Sequence, residues 1–253
     1  MMEAYVREDI VDGVSTIEFF HPQSNSLPGH ILNLLAETIT KAGENDEVLV
    51  IVLRSGGERA FCAGASFDEL IAIDNEATGK EFFSGFAKVI NAMRTCPKFI
   101  IGRVQGKTVG GGVGVASSTD YCFATQFAAV KLSELAVGIG PFVVGPAVER
   151  KVGKAAFSEL AIDASGWRDA EWAKNKGLFA EVYDDAEKMD EAMAKFIEKI
   201  KTFNPEAMAE MKKIFWQGTE HWDTLLTERA QTSGTLVLSD FTRNAINSFK
   251  KKS

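Results

Sequence analysis

Apolar and polar positions alternate from Tyr5 to Arg7 and from Val14 to Phe20 around Asp12-Gly13, which predicts an opening β-hairpin with a tight turn. Beyond the HPQSNSLPG loop, Ile31, Leu34, Leu35, Thr38 and Ile39 follow one helical face, and EVLVIVLRSGG then reads as a buried strand. Residues 67–74 and 80–94 have helical patterns, FIIGRVQG is a short apolar strand closed by glycine, and GGGVGVASS opens a helix of small residues. DYCFATQFAAVKLSE suggests a strand pair, and residues 145–163 contain helical segments. Strands and helices alternate, so a sheet with crossover helices is expected. From Asp169 the character changes: AEWAKNKG, DDAEKMDEAMAKFIEKIKTF, PEAMAEMKKIFWQG and residues 222–250 are all helical in pattern, punctuated by Gly or Pro. The chain therefore divides, on pattern, into an α/β core over residues 1–165 and an all-helical region over residues 166–253.

Composition narrows the class of function. The 253 residues are 45% apolar and 25% charged, with a mean hydropathy of -0.04, the balance of an ordinary globular chain. With 28 Lys+Arg against 35 Asp+Glu the net charge is -7, so no whole-chain basic field exists to hold nucleic acid. Cys62, Cys96 and Cys122 are far apart, with no C-x-x-C spacing for zinc and few partners among His21, His30 and His221. Reduced thiols in a cytoplasmic compartment are expected, with no bound metal. The start MMEAYVREDIVDG lacks the basic and apolar regions of a signal peptide, and no stretch reaches the roughly 20 apolar residues that span a bilayer, so no membrane association is expected.

Three glycine-rich places invite a phosphate-binding reading. Gly106-Lys107-Thr108 supplies the end of a P-loop, but position 101 is Ile and Gly102 is one residue too close. Gly138-Ile139-Gly140 and Gly110-Gly111-Gly112 are followed by Val143 and Val115 where a dinucleotide fingerprint needs glycine. A better reading pairs two loops. ERAFCAGASFDEL runs through Ala63-Gly64-Ala65 into a helix whose Ser66-Phe67-Asp68-Glu69 fits a capping box, and VQGKTVGGGVGVA begins a small-residue helix with its positive end at Gly111 or Gly112. Two exposed backbone donors from two such loops suit an oxyanion hole. Tight turns and helix-sheet packing account for the same glycines on spacing alone.

Several segments together resemble the enoyl-CoA hydratase/isomerase (crotonase) superfamily. FCAGASFDEL is similar to its F-x-A-G-A-D-x-x-E-[LM] segment, and GGGVGVASSTDYCFATQFAAVKLSELAVGI to its second signature, a triple glycine, a buried helix, an Asp, a strand and a Glu before L-x-x-G-I. HPQSNSL resembles P-x-x-x-N-A-[LM], and VGKAAFSELAIDA and AEWAKNKGLFAEV also fit in order and spacing. The resemblance implies a crotonase-like ββα spiral core, here residues 1–165, with a C-terminal helical region, residues 166–253, that forms a trimer or a dimer of trimers.

Carried over position by position, the resemblance implies that the N–H groups of Ala65 and Gly111 form an oxyanion hole for a coenzyme A thioester and that Glu134 is the acid/base. It further implies substrate contacts from Ser26, Ala63, Gly64, Ser66, Phe67, Gly110, Gly114 and Phe142. Two departures stand out: Gly114 falls where hydratases carry their first carboxylate, and Ser66 replaces the usual Asp. One carboxylate suffices to shift a double bond, whereas hydration also needs a water oriented and deprotonated. The expected activity is therefore isomerisation of an enoyl-CoA, with hydration of a 2-enoyl-CoA or weakly catalytic acyl-CoA binding as alternatives, and with no cofactor beyond the coenzyme A of the substrate. Lys107 and Arg59 suit either phosphate contact or solvent, Asp120 a structural cap, Cys62 and Cys122 small core residues. Phe67, Phe82, Phe83 and Phe86 suit packing or an acyl pocket, and Trp216 and Trp222 helix packing.

Overall fold

The computed structural model describes residues 3–250. The expected hairpin forms from β1 (Tyr5–Val11) and β2 (Val14–Phe20), and both turn residues take positive φ, 48° at Asp12 and 77° at Gly13, the twist-matched turn such a sequence favours. β2 then pairs in parallel with β4 (Val50–Ser55), β4 with β7 (Phe99–Val104), β7 with β9 (Tyr121–Thr125) and β9 with β12 (Glu181–Tyr183), giving a six-stranded sheet. The two faces follow the strand period of two. Ile51, Leu53, Ile100 and Cys122 pack toward helices α1 (Gly29–Glu44) and α3 (Glu76–Thr95). Val50, Val52, Ile101 and Phe123 pack toward Met189, Met193 and Ile197 of α7 (Ala186–Ile200) and Met208 of α8 (Pro205–Phe215).

A four-stranded sheet runs in the order β11 (Arg168–Asp169), β10 (Ala129–Lys131), β8 (Lys107–Val109), β5 (Ala60–Cys62), and a two-stranded one pairs β3 (Ser26–Leu27) with β6 (Gly64–Ala65). The remaining helices are α2 (Phe67–Ala72), α4 (Gly111–Ser117), α5 (Gly145–Ile162), α6 (Ala170–Asn175), α9 (Trp222–Leu236) and α10 (Asp240–Lys250). Starts are capped by side chains, as with Asn75 on Thr78 N–H, Asp169 on Trp172 N–H and Asp185 on Lys188 N–H. The capping box expected at Ser66 forms by half. Ser66 Oγ accepts the Glu69 N–H at 3.3 Å, but Glu69 Oε2 takes the Gly29 N–H at 2.9 Å and so ties α2 to α1.

The segment after residue 165 is not all-helical. Strands β11 and β12 lie within it and complete the edges of the two larger sheets, because two- and three-residue strands leave no periodic trace in sequence. Its helices also cover this chain's own core. A Cβ at Gly79 of α3 would stand 2.8 Å from the Gly234 Cα of α9, so paired glycines let these helices touch backbone to backbone. Trp216 and Trp222 pack edge to face at 5.8 Å, as expected of helix packing. Arg103 clamps Asp190 through two hydrogen bonds, and Lys212 reaches Asp120 Oδ2 at 2.6 Å, where that carboxylate also accepts the Ile100 N–H at 2.7 Å. Asp120 is thus structural, as expected. Among the described residues no helix is long and apolar enough to cross a membrane, and no cluster of His, Cys, Asp and Glu is placed to hold a metal ion.

Candidate active site

A cavity of about 490 Å³ opens where β6, the start of α4 and the segment after β10 converge. Ala63, Gly64, Ala65, Phe67, Gly110, Gly111 and Glu134 all line it, so most of the residues singled out in sequence come together. In a parallel pair only alternate residues of a strand bond to a given neighbour. The Ser66 N–H donates to the Leu27 carbonyl at 2.9 Å, so the N–H of Ala65, one residue earlier, turns away from β3 toward the cavity it lines. Ser26 Oγ donates to the Ala65 carbonyl at 2.8 Å and fixes the strand from behind.

The second donor comes from Gly111, the first residue of α4, whose N–H has no partner within the helix because the first turn leaves its donors free. The Gly110 N–H is instead spent on the Lys131 carbonyl at 2.9 Å. Both loops need glycine. Gly64 has φ +92°, and a Cβ there would stand 3.3 Å from the Val109 carbonyl and 3.8 Å from the Gly111 nitrogen, which shows how closely the two donor-bearing segments approach. Gly110 has φ +53°, and a Cβ would lie 3.0 Å from Glu134 Oε1.

Glu134 opens a single 3-10 turn, Glu134–Val137, just beyond the end of β10. Its Oε2 is buried without a hydrogen-bond partner. Burial in this apolar wall pushes the carboxyl up to about 7, offset only in part by the backbone N–H groups of Glu134 and Ser133. A carboxylate poised near neutrality is suited to taking and returning a proton. By contrast, burial pushes the thiols of Cys62 and Cys122 up to about 12, so both are inert core residues.

Four expected substrate contacts fall elsewhere. Ser26 and Ser66 are buried behind the wall, the first bracing β6 and the second capping α2. Gly114 is buried in α4, where a Cβ would meet Val144 Cγ1 at 2.7 Å; Val144, and not position 114, presents to the cavity. Phe142 folds back so that its ring covers Gly140, and its carbonyl accepts from Arg229 at 3.3 Å. Arg59 and Lys107 are also outside the wall. Phe67, Phe82, Phe83 and Phe86 all line the cavity, with Phe82 and Phe83 edge to face at 5.0 Å. Sequence reasoning missed Lys131, Ser133, Ser165 and Ser233 in the wall. The first two flank Glu134 on the same segment and were legible as neighbours; Ser233 arrives only through the close packing of α9 on α3.

The sequence profile of the enoyl-CoA hydratase/isomerase family matches residues 9–252. The mitochondrial methylglutaconyl-CoA hydratase of Rattus norvegicus is 30% identical over 200 residues, 78% of this chain and 63% of that protein, so the match spans less than two thirds of the relative. The peroxisomal Delta(3,5)-Delta(2,4)-dienoyl-CoA isomerase of Arabidopsis thaliana is 26% identical over 242 residues, 87% of this chain and 84% of that protein. Among solved structures, an enoyl-CoA hydratase from Bacillus halodurans superposes with a TM-score of 0.89 over 96% of this chain and 99% of its own, at 19% identity, which is a likeness of fold.

Proposed function

The chain belongs to the enoyl-CoA hydratase/isomerase family, and we propose that within it this protein shifts a double bond in an enoyl-CoA thioester. The thioester oxygen accepts the N–H groups of Ala65 and Gly111, which stabilise charge on that oxygen as the C2 proton leaves. The Glu134 carboxylate takes that proton as the C2–H electrons form C1=C2 and the C=O pair moves onto the thioester oxygen; when the C=O bond re-forms, the C1=C2 pair becomes C2=C3 and the C3=C4 pair bonds C4 to the proton that Glu134 returns. Acid and base are one group, so the step balances without a second residue, metal or redox partner, and coenzyme A enters only as part of the substrate.

The observation that carries this reading is that, among the described residues, Glu134 is the only carboxyl lining the cavity. Position 114, where a second carboxylate would stand by resemblance, is a glycine sealed by Val144. Hydration is the second reading, favoured by the hydroxyls of Ser133 and Ser165 in the wall and by the hydratase name of the rat relative. Purified protein should convert 3-enoyl-CoA to 2-enoyl-CoA faster than it forms 3-hydroxyacyl-CoA across several chain lengths; the reverse order overturns isomerisation. Assembly belongs to the same proposal: Ile162, Ile214, Phe215 and Phe241 are exposed, a surface suited to a trimer or a dimer of trimers. A strictly monomeric mass by light scattering, with activity intact, overturns it. Three free thiols support placement in the cytoplasm.

A further inference from the structure

Among the described residues, Lys131 is the only basic one in the cavity wall. It ends β10 in register with Val109, and its carbonyl holds the Gly110 N–H, so its backbone is fixed against the glycine loop. The ammonium stands 4.6 Å from the centre of the Trp167 ring, and Lys107 brings a second one to 5.3 Å from the same ring. Among the described residues neither lysine has a carboxylate within 4.0 Å. An indole face orients a cation and offsets part of its desolvation, yet it accepts none of the three ammonium protons. Two positive charges gathered about one ring beside an apolar cavity repel each other, and an anion relieves that repulsion.

Phe67, Leu70, Phe82, Phe83, Phe86 and Ile139 make much of the remaining wall apolar.

Building on the acyl-CoA reading of this cavity, we propose that Lys131, oriented by Trp167 and reinforced by Lys107, receives a carboxylate carried by the acyl chain. The substrates are then enoyl-CoA thioesters carrying a second carboxylate. The test is calorimetric binding of unreactive CoA thioethers of matched length ending in methyl or carboxylate, to the wild type, Lys131→Met and Lys131→Arg. The carboxylate-ended analogue should bind wild type about tenfold tighter, the size of one charge-assisted contact. Lys131→Met should erase that preference without weakening the methyl-ended analogue, and Lys131→Arg should keep most of it. No preference in wild type, or equal loss for both analogues in Lys131→Met, overturns the assignment. So does a Lys131→Met effect that vanishes with pantetheine thioethers, since the lysine would then read a coenzyme A phosphate. Carboxylate-selective binding without turnover of either ester supports Lys131 and removes the isomerase reading, so the two failures are distinguishable.

Discussion

Glu134→Gln separates the catalytic from the structural consequences of a buried acid. A carboxyl pushed from 4.5 to about 7 by burial costs roughly 3 kcal/mol more to ionise in the folded chain than in the unfolded one. Below about pH 4.5 both states hold the proton and there is no penalty. As pH rises toward 7 the unfolded chain releases the proton while the folded chain keeps it, so folding stability falls through this window and levels off above it. Glutamine is neutral throughout, has nearly the same shape and escapes the penalty. Urea unfolding of both proteins should therefore show the variant gaining stability relative to wild type between pH 5 and 8, by up to about 3 kcal/mol. Activity must run the other way. Wild-type kcat/KM should rise about tenfold per pH unit on the acid side, bend near the folded-state value of about 7 and stay flat above, as required of a base that works ionised. The variant should lose at least about a hundredfold in kcat at every pH while still binding acyl-CoA. A stability difference that does not move with pH, or an activity bend in the ordinary carboxylate range, refutes a desolvated base at this position.

Breaking the Asp120–Lys212 pair, whose side chains are 6% and 3% exposed, leaves a buried charge uncompensated; Lys212→Met should cost about 3–5 kcal/mol in denaturant unfolding with kcat of the remaining folded protein unchanged, and a loss under about 1 kcal/mol contradicts the clamp. Gly114→Glu alone should overpack α4 against Val144 and cost about 1–3 kcal/mol, whereas adding Val144→Ala clears the route into the cavity; the double variant should gain formation of 3-hydroxyacyl-CoA over the single one, and equal rates show that the second carboxylate does not reach the substrate.

The long elements were legible because their apolar spacing is dictated by a face that must be buried. Val50 to Leu53 and Met189, Met193 and Ile197 announce strand and helix by period alone. The strands β3, β8, β11 and β12 were not, since two or three residues carry no period and are drawn into sheets by tertiary contact. In the site, Ala65, Gly111 and Glu134 were legible through the order of motifs that bring them to one cavity. Gly114 was misplaced for a different reason. Spacing along α4 does not tell how the helix is rotated, and the direction of its Cβ puts Val144 between position 114 and the cavity. Phe142 failed similarly, because the turn through Gly140 folds its ring back.

The six-stranded sheet contributes no residue to the cavity wall. Every lining group belongs to the two smaller sheets, to the turns that leave them, to α2, α3, α4 and α9, or to the segments just before and just after α5. The inner strands of the large sheet are buried on both faces and pack into both apolar clusters, so their residues are exchangeable only for others of similar volume. The small sheets have little core of their own and are pinned by polar contacts such as Ser26 on Ala65 and the Lys131 carbonyl on Gly110. Reactivity and rigidity are thus carried by separate parts of one fold. Substitutions at Val52 or Ile101 should act through stability, whereas Ser26→Ala, which lies outside the cavity wall, should loosen Ala65 and lower kcat with little change in unfolding midpoint. Equal damage from both kinds of change would mean that the donors of the proposed oxyanion hole are held by the large sheet after all.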